Sequence, residues 1–172
     1  MSTALPQSSA AATRVAPSAR AGKYLTFFLS GEEYGLEILK VSEIIGMQSI
    51  TRVPRTPAFV RGVINLRGKV IPITDLRIKF GMDASIEEES CIIVVQLRDV
   101  QTGIVVDRVS EVVALAETDI ADPPDFANGV QTDLLLGIGK AGGRVKLLLD
   151  IDKVLAAHEA VQLAESTSAH AA

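Results

Sequence analysis

Few residues in this chain have types and spacings that could do chemistry. Gly137-Ile-Gly139-Lys-Ala-Gly142 matches the G-x-G-x-x-G pattern of dinucleotide sites. That pattern needs a helix next, whose N-terminus receives the pyrophosphate. Residues 145–149 read instead as a strand, so the glycines are assigned to a hairpin turn. A Walker loop is excluded because Leu134 stands where its first glycine belongs. The two histidines, His158 and His170, both lie in the C-terminal segment, and no His–Cys cluster exists to hold zinc. Cys91 is the sole cysteine, so no intrachain disulfide can form and a reducing cytoplasm fits. Its neighbours Ile92, Ile93 and Val94 mark it as a small core residue. A glycosidase would need two carboxylates facing a cleft. Glu43, Asp75, Asp107 and Glu111 are available, but charge on strand faces and at strand ends is ordinary. No enzyme, cofactor or metal site is expected.

The elements that position these residues centre on residues 62–81, GVINLRGKVIPITDLRIKFG, which reads as a β-hairpin. Val63, Ile64 and Leu66 form one strand, Arg67-Gly68 the tight turn, and Val70, Ile71 and Ile73 the return. Pro72 cannot donate to a ladder and is expected on an edge or at a bulge. Asp75 ends the run, where its short side chain can bond its own backbone. An isolated arginine at such a tip, Arg67, reads from the hairpin alone as a solvated turn residue.

The hairpin recurs. Residues 68–76, GKVIPITDL, align without gaps on residues 143–151, GRVKLLLDI. Upstream, residues 35–45, GLEILKVSEII, match residues 103–113, GIVVDRVSEVV, and residues 50–54 echo residues 120–124. The blocks keep their order, which argues for a duplicated unit of two similar subdomains.

Hydrophobic residues make up 48% of the 172 positions and charged residues 22%, a globular mixture. A net charge of −4 gives no support for nucleic-acid binding. No apolar run approaches the ~18 residues of a membrane helix, and the N-terminus lacks a secretory apolar core. Residues 1–22 are expected to be a disordered tail. Residues 24–30 and 34–38 read as strands, and residues 39–45 as a bent strand with one helical turn at 39–42. Thr56 and Pro57 are expected to start a short helix ended by Gly62, with Phe59 on its buried side. Residues 82–90 form an acidic loop joining the halves. The unbroken apolar run at residues 91–97 suggests a strand covered on both faces. Residues 98–103 are read as a hairpin loop and residues 119–125 as a surface loop. Asp152 is expected to cap a terminal helix. The result is a two-lobed β protein that binds partners through strand edges and apolar patches.

Laid out this way, residues 24–161 resemble CheW, the adaptor family of bacterial chemotaxis. The resemblance rests on residues 33–41 (EYGLEILKV), 56–62 (TPAFVRG), 65–68 (NLRG) and 71–77 (IPITDLR). It implies a mainly β fold of two SH3-like five-stranded barrels packed together, with one or two short helices. A CheW-like domain at 23–161 would comprise intertwined subdomains at roughly 23–85 and 86–155, with the terminal helix packing back on the first. Residues 162–172 would be a flexible C-terminal tail. The resemblance implies no catalysis, but an adaptor coupling transmembrane chemoreceptors, the methyl-accepting chemotaxis proteins, to the regulatory domain of the histidine kinase CheA. The receptor's cytoplasmic hairpin tip would dock between the barrels, facing Val41, Glu43, Gly62, Asn65, Arg67 and Val112. The kinase contact would use apolar barrel ends, without named residues. Such a protein would be cytoplasmic and recruited to membrane-associated receptor arrays, without inserting in the membrane or binding nucleic acid. Rival readings are a CheW-like adaptor for a different signalling array and a nucleotide-using enzyme built around residues 137–142.

Overall fold

In a computed structural model, residues 20–83, 88–123 and 134–155 are described. The N-terminal tail as far as residue 19, the centre of the acidic loop, both histidines and the C-terminal tail lie outside the described residues. Eleven strands carry the described fold: β1 (Gly22–Leu29), β2 (Glu32–Glu37), β3 (Val41–Gly46), β4 (Val60–Leu66), β5 (Lys69–Asp75), β6 (Cys91–Leu97), β7 (Val100–Val106), β8 (Arg108–Leu115), β9 (Ile120–Ala121), β10 (Leu135–Ala141) and β11 (Arg144–Leu149). A four-residue helix, α1 (Leu76–Lys79), follows β5, and residues 151–155 are helical after β11. No helix among the described residues is long and apolar enough to cross a membrane.

The strands form two sheets, ordered β8-β1-β2-β11-β10-β9 and β3-β6-β7-β5-β4. Leaving β9 aside, the two orders are the same list under the sequence repeat. Here β8 answers to β3, β1 to β6, β2 to β7, β11 to β5 and β10 to β4. Each sheet takes one hairpin from one half of the chain and its remaining strands from the other. β1–β2 sits among strands of the second half, and β6–β7 among strands of the first. Two parallel pairings join the exchanged hairpins to their hosts, β11 with β2 and β5 with β7.

Glycines mark the same joints twice. A Cβ on Gly35 would meet Leu148, and one on Gly103 would meet Ile73, where the parallel partner strand presses in. A Cβ on Gly62 would collide with the Thr51 carbonyl, and one on Gly137 would lie 2.8 Å from the Ala121 carbonyl. Both of these glycines sit at register shifts, opposite a short crossing segment, Thr51 in one sheet and β9 in the other.

The core has three parts. Alternate residues of β6 and β7 face opposite ways, so Ile93, Val95, Ile104 and Val106 enter a cluster shared with β1, β2, α1 and the 151–155 helix. Ile92, Val94 and Val105 enter a second cluster with Ile64, Leu66, Ile71 and Ile73, inside their own sheet. A third, smaller cluster of Tyr24, Leu115, Ile120 and Leu148 fills the other sheet. The continuous apolar run of β6 is thus explained by two buried faces.

Several expectations need correction. The structured chain begins before residue 23, because Arg20 pairs with Glu117 and Asp122 and β1 starts at Gly22. Residues 56–59 form turns and not a helix. Thr56 Oγ1 donates to the Val53 carbonyl at 2.9 Å, and no helix follows it. Phe59 is half-buried, with the Lys79 ammonium 4.4 Å above its ring. Pro72 lies on an interior strand, between β4 and β7. It is tolerated because towards β4 the Val63–Pro72 pair carries no hydrogen bond, Val63 exchanging both of its own with Thr51, and towards β7 the ladder begins only at Ile73. Ile120, expected in a loop, is buried in β9. The 98–103 loop shrinks to a turn at Arg98 and Asp99, with β7 starting at Val100. Asp150, not Asp152, caps the last helix, accepting from the Lys153 amide at 3.3 Å. In the bent segment the helical turn is a 3₁₀ turn at Ile38–Lys40.

Candidate docking site

The six expected receptor-facing residues fall on four places. Val41 and Glu43 lie on β3, Gly62 and Asn65 on β4, Arg67 in the β4–β5 turn, and Val112 on β8. β3 and β4 are the two outer strands of their sheet. The sheet curls until the turn after β4 reaches β3, and an Arg67–Glu43 ion pair ties the two. Arg67 remains 70% exposed and Glu43 29%, so the pair sits at the surface.

The turn presents Arg67 by an unusual backbone. Arg67 has φ 51° and Gly68 φ 88°, both left-handed, as a two-residue hairpin of the primed type requires. Glycine takes that conformation without strain, whereas arginine must be held. Asn65 holds it by accepting the Gly68 amide at 2.8 Å. Gly62 is buried against Thr51, where its absent side chain is what lets the backbones meet. Val41 is half-buried against the shared core. Val112 is 51% exposed on β8 of the other sheet, at the repeat position of Ile44, which is also exposed. The structure therefore gathers Glu43, Asn65 and Arg67 at one corner and places Val112 on a separate outer strand.

Sequence reasoning missed a buried ion network near this hairpin. Asp75 is fully buried, and its two carboxylate oxygens accept from Arg61 Nε and Nη2 and from Arg77 Nε and Nη2 at 2.8–3.0 Å. It also caps α1 by accepting the Arg77 amide. Arg77, 1% exposed, reaches on to Asp107 at 2.7 Å. Asp107 in turn accepts the Ser30 amide in the β1–β2 turn at 2.7 Å. The network thus pins the exchanged hairpin to the host sheet. Burial alone would push the Asp75 carboxyl up, but the hydrogen bonds and charges of Arg77 and Arg61 outweigh it and hold the carboxyl below its usual range. The hydrogen bond to Asp75 above all pushes the Arg77 guanidinium up. One signal was available: Asp107 and Arg77 break the repeat, standing where the other half has Leu39 and Asp152.

The glycine-rich stretch is a hairpin. Gly142 and Gly143 form the turn, with φ 61° and 75°, and β11 follows directly. A Cβ on Gly139 would press on Leu115, so that glycine serves packing. Cys91 is half-buried, and burial pushes its thiol up, away from the reactive thiolate. Among the described residues no group of three or more His, Cys, Asp or Glu could hold a metal ion.

Two curled β-sheets related by duplication present a surface corner where Glu43, Asn65 and Arg67 meet. The chain belongs to the CheW-like domain family, which matches residues 23–159. It is 44% identical over 138 residues to the chemotaxis protein CheW of Klebsiella aerogenes, covering 80% of this chain and 83% of that one. The chemotaxis protein CheW of Bacillus subtilis is 34% identical over 137 residues, covering 77% and 86%. The crystal structure of the scaffolding protein TtCheW from Thermoanaerobacter tengcongensis is similar at a TM-score of 0.71 and 37% identity. That similarity covers 76% of this chain and 89% of that one.

Proposed function

We propose that the chain is a non-enzymatic adaptor of chemotaxis signalling, coupling transmembrane chemoreceptors to the regulatory domain of the histidine kinase CheA. The observation that carries this reading is the CheW-like match, which spans nearly the whole described fold. The receptor's cytoplasmic hairpin tip is assigned to Val41, Glu43, Gly62, Asn65, Arg67 and Val112. The corner formed by Glu43, Asn65 and Arg67 supports that assignment, because an exposed arginine held by a rigid turn can transfer its hydrogen bonds to a partner. The working unit runs to residue 161 as two intertwined subdomains. It acts in the cytoplasm and joins receptor arrays through its partners.

Calorimetric titration of the full chain against a soluble receptor hairpin-tip fragment, and separately against the CheA regulatory domain, tests this. The wild-type chain should bind both. Arg67→Ala should weaken the receptor fragment by about 2 kcal/mol or more, as loss of an interface arginine does. Kinase binding and Tm should hold, because an exposed ion pair contributes only about 0–1 kcal/mol to folding. Loss of both partners alike would indicate a damaged fold. Unchanged receptor binding would return Arg67 to a solvated turn, and failure of the wild-type chain to bind either partner would remove the adaptor reading.

A further inference from the structure

Between β3 and β4 the chain encloses a cleft of about 450 Å³ whose lining includes Arg52, Arg55 and Arg61 and no acidic residue. The protein carries a net charge of −4, so this concentration of cations is local. The rest of the wall is largely apolar, with Val53, Pro57 and Ile78. None of the six receptor-facing candidates lines it.

The positive charge is not cancelled from beneath. Arg61 spends Nε and Nη2 on Asp75, whose oxygens are also held by Arg77, and Arg77 reaches Asp107. Two guanidinium groups meet two carboxylates, leaving that network neutral. Arg52 and Arg55 are additional, and neither forms an ion pair among the described residues. The loop that carries them is fixed before any ligand arrives. Thr56 Oγ1 donates to the Val53 carbonyl and the Val60 amide to the Pro57 carbonyl, each at 2.9 Å. Pro54 and Pro57 stiffen the backbone on either side of Arg55, which holds a left-handed φ of 63°. A non-glycine residue kept in that region is a mark of an imposed geometry. The backbone that carries the arginines is thus preorganised, while the Arg52 and Arg55 side chains order only when they bind.

We infer that this cleft binds a carboxylate-bearing peptide segment of a partner protein. Glu or Asp side chains of the segment fork onto Arg52, Arg55 and the exposed edge of Arg61, a match of planar geometries that arginine provides and lysine does not. Apolar neighbours in the segment pack on Val53, Pro57 and Ile78. The cleft volume lies within the usual range for ligand sites. The lining has no glycine-rich amide cradle, and such a cradle is what builds a phosphate site from backbone.

The test uses the full chain and a fluorescein-labelled peptide of alternating Glu and Leu, with a matched Gln–Leu peptide, read by anisotropy. The Glu peptide should bind, more weakly as salt rises, and the Gln peptide should not. R52Q/R55Q should weaken binding about tenfold or more with Tm unchanged, since both side chains are exposed. Amide shift changes in wild-type protein should concentrate at residues 52–61. Equal binding by the double variant, or equal binding of the two peptides, would overturn the inference. Displacement of the peptide by an equimolar amount of inorganic phosphate would overturn it in favour of a phosphate site.

Discussion

The two sheets share a strand order and the same glycine joints, yet differ in where they bury charge. In the sheet built on β3–β7, the residue two positions after the strand-ending Asp75 is Arg77, and it pairs with Asp107 at the β7–β8 corner, buried. In the other sheet the residue two positions after Asp150 is Asp152, and it pairs with Lys40 at the β2–β3 corner, exposed. The corner is the same to within one residue, since Lys40 follows Leu39, the repeat position of Asp107, and the signs are reversed and solvent admitted. Inside the sheets the asymmetry runs the other way. Ile71 lies in an apolar interior, whereas its repeat partner Lys146 is 2% exposed and bonded to Glu33 at 3.2 Å. Gln101 stands at the repeat position of Glu33. A duplicated backbone is therefore held by shape, through glycines and apolar alternation, while ion pairs are added separately in each half.

The largest expected effect tests the reversed joint. Arg77→Ala leaves Asp75 and Asp107 without their main partner and should cost about 3–5 kcal/mol in urea unfolding. Lys40→Ala breaks the exposed counterpart and should cost about 0–1 kcal/mol. Equal costs would dissolve the distinction. Asp75 also sets an acid limb. Its folded pKa lies below its unfolded one, so its contribution is complete above the unfolded value near 3.8 and is lost as pH falls below it.

The buried pair inside the other sheet comes next. Lys146→Ile alone strands the Glu33 carboxylate and should cost about 3 kcal/mol or more. Adding Glu33→Gln copies the Ile71 and Gln101 arrangement of the sister sheet and should recover most of that loss, to within about 1 kcal/mol of wild type. A double variant as unstable as the single one would show that the sister interiors are not interchangeable.

The glycine joints should separate by less. Gly62→Ala puts a Cβ into a backbone carbonyl at φ 140°, and strain of this kind costs about 1–3 kcal/mol. Gly137→Ala meets the Ala121 carbonyl without a left-handed φ and should cost less. Thermal unfolding of the two variants reads the order directly, and a reversed order would mean that the β9 crossing is the more rigid.

The smallest effect is alkaline. Burial pushes the Tyr24 phenol up to about 12, and its hydroxyl donates to the Arg20 carbonyl at 2.6 Å. A raised folded pKa means that Tyr24 stabilises fully below pH 10 and loses that contribution as pH rises from 10 towards 12. Tyr24→Phe should cost about 1 kcal/mol at neutral pH and flatten the Tm decline above pH 10. Tyr34, also pushed up by burial, should leave a residual slope.

Much of this was legible because it is local. The Arg67-Gly68 and Gly142-Gly143 turns, the two-faced strand at 91–97 and the repeat blocks are written in neighbouring residues. The hairpin exchange was not legible, because a repeat shows which strands are equivalent without showing which pair. The Asp75 network was hidden for a related reason. Asp75 and Arg77 are neighbours, but Arg61 and Asp107 come from 14 and 30 residues away in sequence. The misread helix at Thr56 shows a competition: its hydroxyl bonded backward to Val53 where a cap would bond forward. Of the docking candidates, the resemblance placed Glu43 and Arg67 on one receptor-facing side, and they form an ion pair, while the structural burden on Gly62 became visible only with Thr51 in place.

The exchanged hairpin has a consequence for how the chain is made. Glu33 and Lys146 are 113 residues apart, and β2 cannot find its parallel neighbour until β11 has been synthesised. At roughly 5–20 residues per second, the first hairpin leaves the ribosome many seconds before the strands that flank it. During that interval Leu25, Phe27, Tyr34 and Leu36 have no opposing layer, which exposes an aggregation-prone edge on every nascent copy. Neither half made as a separate fragment has a complete sheet. Both halves mixed, however, contain every strand, so the topology that delays folding also invites reassembly from two pieces.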